Sequence, residues 1–217
     1  MSTITGSQII KAIIETLQMV SISLAIGSVF GIPLGVLLVI TKSGGIIKNK
    51  VVFSVLNNII NIVRSLPFII LLVAIVPFTR FIVGSSIGTK AAIIPLIVYI
   101  TPYIARLIEN SLLEVSSGII EAAEAMGATT IQIIWHFLLP EALGSLILSL
   151  TTATIGLIGA TAMAGTVGGG GIGDVAISYG YQRFNTGVIV VTVIILIIFV
   201  QAIQNLGNVL AKKARRH

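Results

Sequence analysis

The stretch SSGIIEAAEAMGATTIQIIWHFLLP, Ser116 to Pro140, decides how this chain is interpreted, because it has the pattern of two water-facing helices rather than of a membrane span. The alanine-rich run after Glu121 consists of strong helix formers, and Ser116 or Ser117 is available as the N-cap. Gly127 is expected to end this helix in a left-handed conformation. The segment therefore predicts a helical hairpin with a glycine elbow.

The second helix of the hairpin begins with Thr129 followed three residues later by Gln132, which is the capping-box pattern. Pro140 is expected to end it. Its apolar residues recur at i, i+3, i+4 and i+7, and they are Ile131, Ile134, Trp135 and Leu138. A short helix with one apolar face predicts a docking partner.

Composition places the chain among polytopic membrane proteins. It has 217 residues, of which only 9% are charged, and a mean hydropathy of +1.11. The absence of cysteine excludes disulfides and thiolate chemistry, and two isolated histidines, His136 and His217, argue against a metal site. The net charge of +6 comes from residues at loop ends and in the tail, so no nucleic-acid partner is expected. One membrane domain covering 1–217 is predicted, with membrane lipid around it.

Five stretches have the roughly 20 apolar residues that a helix needs to cross a bilayer. They are about 13–40, 56–76, 91–108, 142–164 and 187–210, with a basic tail at 211–217. An odd number of spans places the two ends of the chain on opposite sides.

Basic residues are unevenly divided between the two sides of these spans. Eight share one side, namely Lys42, Lys48, Lys50, Arg106, Lys212, Lys213, Arg215 and Arg216. The other side carries Lys11, Arg80, Lys90 and Arg183. By the positive-inside rule the N-terminus is expected outside, and the C-terminus and the hairpin 116–140 are expected in the cytoplasm.

The hairpin resembles the "EAA" cytoplasmic loop of ABC importer permeases of the type I fold. The resemblance rests on residues at fixed offsets, which are Glu121, Ala122, Ala123, Gly127, Leu139 and Pro140. In that family the loop is a coupling helix that docks into a groove on a cytoplasmic ATPase. The resemblance implies an all-α permease with five spans that works as a homodimer with two ATPase copies and an extracytoplasmic substrate-binding protein. Without such a partner, the segment is an interfacial amphipathic hairpin.

The first span carries Gly27, Gly31 and Gly35 four residues apart, which predicts a smooth face for close helix packing, with pore lining as the alternative. Lys11 and Glu15, one turn apart near its outer end, are expected to form a solvated surface pair.

The second stretch carries Asn57, Asn61 and Arg64 on one helix face. Two interpretations of Arg64 stay open. It is either structural, capping a neighbouring helix or reaching the cytoplasmic interface, or it lines the translocation route. Arg106 and Glu109 at the end of the third span are expected to be interfacial charges.

The fourth stretch is rich in small and hydroxyl residues, which suit tight packing or a solute path. Met163 is the large, flexible side chain among them, and with Thr161 and Gly165 it is a candidate for a gate or pathway contact, with ordinary packing as the alternative. The run GTVGGGGIG at 165–173 matches a dinucleotide-binding pattern in letters only, because it follows a membrane helix and not a strand. It is expected to be a sharply bent outer loop.

Further stretches extend the resemblance to methionine importer permeases, which are minimal members of the type I fold. They begin at Arg64 (RSLPFIILL), Pro77 (PFTRFIVG) and Ala162 (AMAGTVGGGGIGDVAISYGYQRFN). The resemblance implies a permease in a bacterial cell membrane that takes up methionine. The chain carries no phosphate-binding loop, so ATP and Mg are expected on a separate ATPase, with no cofactor and no enzyme activity in this subunit. The alternatives are a permease for another small amino acid or organic solute, and an ATP-independent channel or secondary transporter.

Overall fold

The computed structural model describes residues 5–215, and every regular element in that range is a helix. The helices are α1 (Gly6–Thr41), α2 (Lys50–Ser65), α3 (Phe68–Ala74), α4 (Val76–Val83), α5 (Thr89–Leu113), α6 (Ser117–Ala125), α7 (Thr130–Gln132), α8 (Leu139–Gly165), α9 (Gly171–Asp174) and α10 (Thr186–Ala214). Two π-helical segments, Ile133–Leu138 and Val175–Tyr181, follow α7 and α9.

Four helices in the described range are long and apolar enough to cross a membrane. They are Gly6–Thr41, Thr89–Leu113, Thr130–Gly165 and Thr186–Ala214. A fifth crossing is reached only if α2 and α3 are counted together. Helix α10 continues to Ala214, so the first part of the predicted tail 211–217 is helical, while Arg216 and His217 lie outside the described residues.

The second predicted span, 56–76, is broken and not one continuous helix, and its crossing of the membrane stays a prediction. Helix α2 ends at Ser65 and α3 begins at Phe68, with a bend of 101° between them. Pro67 lacks a backbone N–H and disfavours helical geometry at Leu66. These two effects break the helix inside a continuous apolar run.

The chain divides into two compact units. One contains Met1–Gly27, Leu66–Ile100 and Thr154–Gln204, and the other contains Ser28–Ser65, Thr101–Ala153 and Asn205–His217. In the first unit, Ala12, Ile172, Val175 and Val188 form a buried cluster. In the second, Leu38, Ile60 and Ala105 join α1, α2 and α5. The second unit also contains the hairpin 116–140, so we call it the hairpin unit.

Candidate functional site

The first helix of the hairpin is α6, Ser117–Ala125. Ser116, one of the two predicted candidates, is its N-cap residue, but the Ser116 side chain makes no cap hydrogen bond. Ala123 is fully buried, whereas Glu121 and Ala122 are exposed. The alanine therefore packs α6 onto the protein and leaves the carboxylate of Glu121 available to a partner.

The elbow of the hairpin is at Gly127, whose φ of 79° is left-handed, as predicted. Its N–H donates to Glu124 O at 2.9 Å, and the N–H of Ala128 donates to Ala123 O at 3.0 Å. These two bonds are those of a Schellman motif, which satisfies the last carbonyls of α6. A Cβ at Gly127 would meet no atom within 4 Å, so the requirement for glycine comes from the backbone conformation and not from space.

The second helix begins with the predicted capping box between Thr129 and Gln132. It then widens into the π-helical segment Ile133–Leu138, in which the N–H of Leu139 donates to Ile134 O, five residues back. Pro140 does not end the helix as predicted, because the chain continues from the π segment directly into α8. A π turn shifts the hydrogen-bond register by one residue, and this accommodates a residue without an N–H.

The same shift changes which side chains are buried. Ile133 and Leu138 are buried, so that Leu138 is the buried member of the predicted apolar face, while Ile131 and Trp135 of the same face are exposed. Ile131 is 69% exposed and Trp135 is 66% exposed, and Met126 at the elbow is 70% exposed. We call Met126, Ile131 and Trp135 the hairpin patch. Three large apolar side chains exposed on one short hairpin form a candidate interaction surface.

A polar cluster in the hairpin unit links α2 to α5. The guanidinium of Arg106 donates to Glu109 Oε2 at 2.5 Å, to Asn57 Oδ1 at 2.7 Å and to Asn61 Oδ1 at 2.8 Å. The Arg106 side chain is 18% exposed and that of Glu109 is 6% exposed. We call these four residues the Arg106 cluster. Arg106 and Glu109, which we expected to be interfacial charges, therefore form a largely buried ion pair.

The sequence carries a signal for this cluster. Asn57 and Asn61 are four residues apart on α2, and Arg106 and Glu109 are three residues apart on α5, so each pair occupies one helix face. Our prediction grouped the asparagines with Arg64, which is exposed and forms no ion pair within residues 5–215. Which helix the asparagines face depends on tertiary structure, and a single sequence does not specify it.

The glycines of the first span lie on its buried side. A Cβ on Gly31 would lie 2.8 Å from Thr101 O, and a Cβ on Gly35 would lie 2.6 Å from Ala105 O. Both oxygens belong to the backbone of α5. Helices α1 and α5 thus approach each other more closely than any larger residue permits. Gly27 is buried as well.

The candidate pathway residues of α8 differ in their surroundings. Met163 is 50% exposed. Thr161 is buried, and its hydroxyl donates to Ile158 O at 2.7 Å in its own helix. A Cβ at Gly165 would collide with the backbone N of Asp174. Thr161 and Gly165 thus face protein, and Met163 is the exposed member of the three.

The glycine-rich segment after α8 is attached to α1. The N–H of Gly171 donates to Glu15 Oε2 at 2.9 Å, and the N–H of Ile172 donates to Thr16 Oγ1 at 2.9 Å. Gly170 and Gly171 both have φ of 78°. The ion pair between Lys11 and Glu15 is present at 3.8 Å, but Glu15 is not merely the solvated surface residue that we predicted.

Within the described residues no group of His, Cys, Asp or Glu side chains is arranged to bind a metal.

Comparisons with known proteins agree with this architecture. The chain is 51% identical over 199 residues to the probable D-methionine transport system permease protein MetI of Vibrio cholerae, covering 92% of this chain and 88% of that protein. It is 51% identical over 157 residues to the D-methionine transport system permease protein MetI of Escherichia coli K12, covering 72% of each chain.

A solved structure described as inward facing conformations of the MetNI methionine ABC transporter contains a chain with the same fold. It superposes with a TM-score of 0.95 at 46% identity and covers 99% of both chains. The predicted all-helical fold of a type I importer permease is thereby confirmed. The model of one family matches residues 27–216, and the chain belongs to that family, the inner membrane components of binding-protein-dependent transport systems.

Proposed function

We propose that this chain is the permease subunit of an ATP-driven importer that takes up methionine. The hairpin patch is the observation that carries the coupling part of this proposal. Met126, Ile131 and Trp135 are exposed around an elbow that is fixed by a Schellman motif and a capping box. A rigid apolar projection of this kind fits a groove on a protein partner.

That partner is a cytoplasmic ATPase. The chain itself has no phosphate-binding loop, so the energy for uptake comes from ATP and Mg bound to a separate subunit. Glu121 makes the polar contact at the interface, and Gly127 sets the angle of the elbow. Ala123 packs α6 onto the protein and leaves Ala122 exposed next to Glu121, while Leu139 and Pro140 connect the hairpin to α8.

The assembly contains two copies of this chain, two ATPase copies and an extracytoplasmic substrate-binding protein. One copy offers half of a solute pathway and one ATPase contact, and closed two-fold symmetry is the commonest way to pair such halves. The N-terminus lies outside and the C-terminus in the cytoplasm of a bacterial cell membrane, as the uneven distribution of basic residues supports.

Methionine is proposed as the solute because the relatives at 46 to 51% identity are described by that substrate. Met163, exposed on α8, is the side chain of this chain that we assign to the pathway, and Arg64 is a second candidate.

The proposal is tested by purifying the tagged chain from its native membrane with whatever accompanies it and reconstituting the complex in vesicles. We expect an ATPase in equal amount and ATP-dependent uptake of radiolabelled methionine that excess unlabelled methionine abolishes. Competition by another amino acid but not by methionine would show that methionine is not the solute. Uptake without any ATPase would overturn the coupling mechanism and favour a channel or secondary transporter.

The hairpin patch is tested separately with a matched pair of variants. Ile131 and Ile87 are exposed to almost the same extent, 69% and 68%, but only Ile131 belongs to the patch. We expect Ile131→Ser to reduce the copurifying ATPase about ten-fold, as for loss of a well-placed interface side chain. Ile87→Ser is expected to leave it unchanged. An equal effect of both variants would contradict docking at the patch.

A further inference from the structure

We infer that Arg106 is a positioning residue for coupling, which fastens α2 to the end of α5 so that both helices move together with the hairpin. This inference rests on the proposed function, because it assigns a role within the same transport cycle. It concerns the Arg106 cluster, none of whose residues belongs to the hairpin patch. It rests on the geometry of the Arg106 cluster and on the place of that cluster in the hairpin unit.

Movement of the hairpin has two routes into the rest of the hairpin unit, namely α8, which continues directly from the π segment, and the end of α5. Helix α5 ends at Leu113 and α6 begins at Ser117. The short connection is itself ordered, because the N–H of Val115 donates to Leu112 O and the N–H of Ile119 donates to Ser116 O. A displacement of α6 is therefore expected to displace the end of α5 as well.

Residues 101–113 of α5 are held by three other helices of this unit. Helix α1 contacts them through the close approach at Gly31 and Gly35. Helix α8 contacts them through Ser149, whose hydroxyl is 2.7 Å from that of Ser111. Helix α2 contributes Ile60 to the apolar cluster with Ala105, and its polar contacts include the bonds of Asn57 and Asn61 to Arg106.

The α2 contact differs from the other two in its chemistry. The guanidinium of Arg106 binds two acceptors on successive turns of α2 and the carboxylate of Glu109 on its own helix. The negative charge of Glu109 therefore balances the positive charge of Arg106 within the cluster. An ionisable side chain in a helix that crosses a membrane is costly unless it has such partners, and it usually serves function. These bonds fix the register of α2 against α5, because only one register lets Arg106 bind both asparagines.

Two different variants disrupt the bonds between Arg106 on α5 and the asparagines on α2. Arg106→Lys retains a cation beside Glu109 but loses the division of labour between two nitrogens, in which Nη1 binds Glu109 while Nη2 binds both asparagines. The double variant Asn57→Ala with Asn61→Ala removes the acceptors and leaves the pair of Arg106 and Glu109 intact. Lys50→Gln is the matched control, since it removes an exposed cation from α2 that lies outside the Arg106 cluster.

The experiment measures ATP hydrolysis and methionine uptake together in vesicles containing the complete complex. We expect both cluster variants to assemble with the ATPase and to hydrolyse ATP, while the methionine moved per ATP falls about five-fold or more, the size of a typical coupling effect. Lys50→Gln is expected to retain the wild-type ratio. A wild-type complex without ATP-dependent uptake would refute the proposed function itself.

With an active wild-type complex, three results would overturn the inference alone. The first is an unchanged ratio of methionine to ATP in both variants. The second is a parallel loss of uptake and hydrolysis, which indicates a purely structural role. The third is an effect of Arg106→Lys that the double asparagine variant does not reproduce, because the role of Arg106 would then not involve α2.

Discussion

Gly127 shows how a single residue controls the geometry of the hairpin. Its φ of 79° is unfavourable for a β-branched side chain, although space for a Cβ is available. We expect Gly127→Val to destabilise the elbow by about 1–2 kcal/mol and to lower coupled uptake at least several-fold. The measurement is methionine uptake relative to the amount of complex in the membrane.

The control for this prediction lies in the same hairpin. Gly118 is exposed within α6, where φ is negative, and a Cβ there would make only an ordinary contact with Ser116. Gly118→Val is therefore expected to leave uptake near the wild-type level. Normal uptake by Gly127→Val would show that the left-handed elbow is not required for coupling.

The residues that could be predicted from the sequence are those whose role is decided locally. A glycine that ends a helix, and a threonine three residues before a glutamine, specify their own geometry, and both predictions were confirmed at Gly127 and Thr129. The role of Arg106 could not be predicted in this way, because two of its three acceptors, Asn61 and Asn57, lie 45 and 49 residues away in the chain. Its sequence neighbourhood resembles that of any charge at a helix end.

At the scale of whole elements, the glycine-rich segment is held in place by α1. The carboxylate of Glu15 and the hydroxyl of Thr16 accept the N–H groups of Gly171 and Ile172. A hydrogen bond to a charged acceptor contributes about 1.5–3 kcal/mol. Glu15→Ala is therefore expected to raise the hydrogen-exchange rates of the amides at 171–172 about ten-fold or more, measured by mass spectrometry on the purified complex.

Lys11→Ala separates this effect from the loss of the ion pair. Lys11 is largely exposed and lies 3.8 Å from Glu15, and such pairs contribute about 0–1 kcal/mol. Exchange at 171–172 is thus expected to stay near the wild-type rate in that variant. If Lys11→Ala had the same effect as Glu15→Ala, the ion pair and not the bond to Gly171 would hold the segment.

The elements themselves were predicted best where composition alone decides them. The four long helices coincide with apolar stretches, since burial in lipid requires both length and hydropathy. The break at Pro67 and the π segment at 133–138 were not predicted, although Pro67 and Pro140 are visible in the sequence. A proline indicates that a helix is disturbed, but only the packing around it decides between a break, as at Pro67, and a widened turn, as before Pro140.

At the scale of the whole molecule, the proposed orientation in the membrane follows from the distribution of charge, and the chain is well suited to a test of it. The natural sequence contains no cysteine, so a single introduced thiol reports on one position without background. Ser7 near the start of α1 and Ser117 at the start of α6 are both exposed. They belong to opposite sides if the N-terminus is outside and the hairpin is cytoplasmic.

We expect a membrane-impermeant maleimide to label Ser7→Cys in intact cells, or in spheroplasts where an outer membrane is present. Ser117→Cys is expected to be labelled only after the membrane is permeabilised. Labelling of both after permeabilisation is the control that each thiol is reactive. The reverse pattern would place the hairpin patch outside the cell, away from ATP, and would exclude both the ATPase contact and the role inferred for Arg106. Labelling of both in intact cells would mean that the number of crossings between residues 7 and 117 is even, so that the broken pair α2 and α3 does not count as one span.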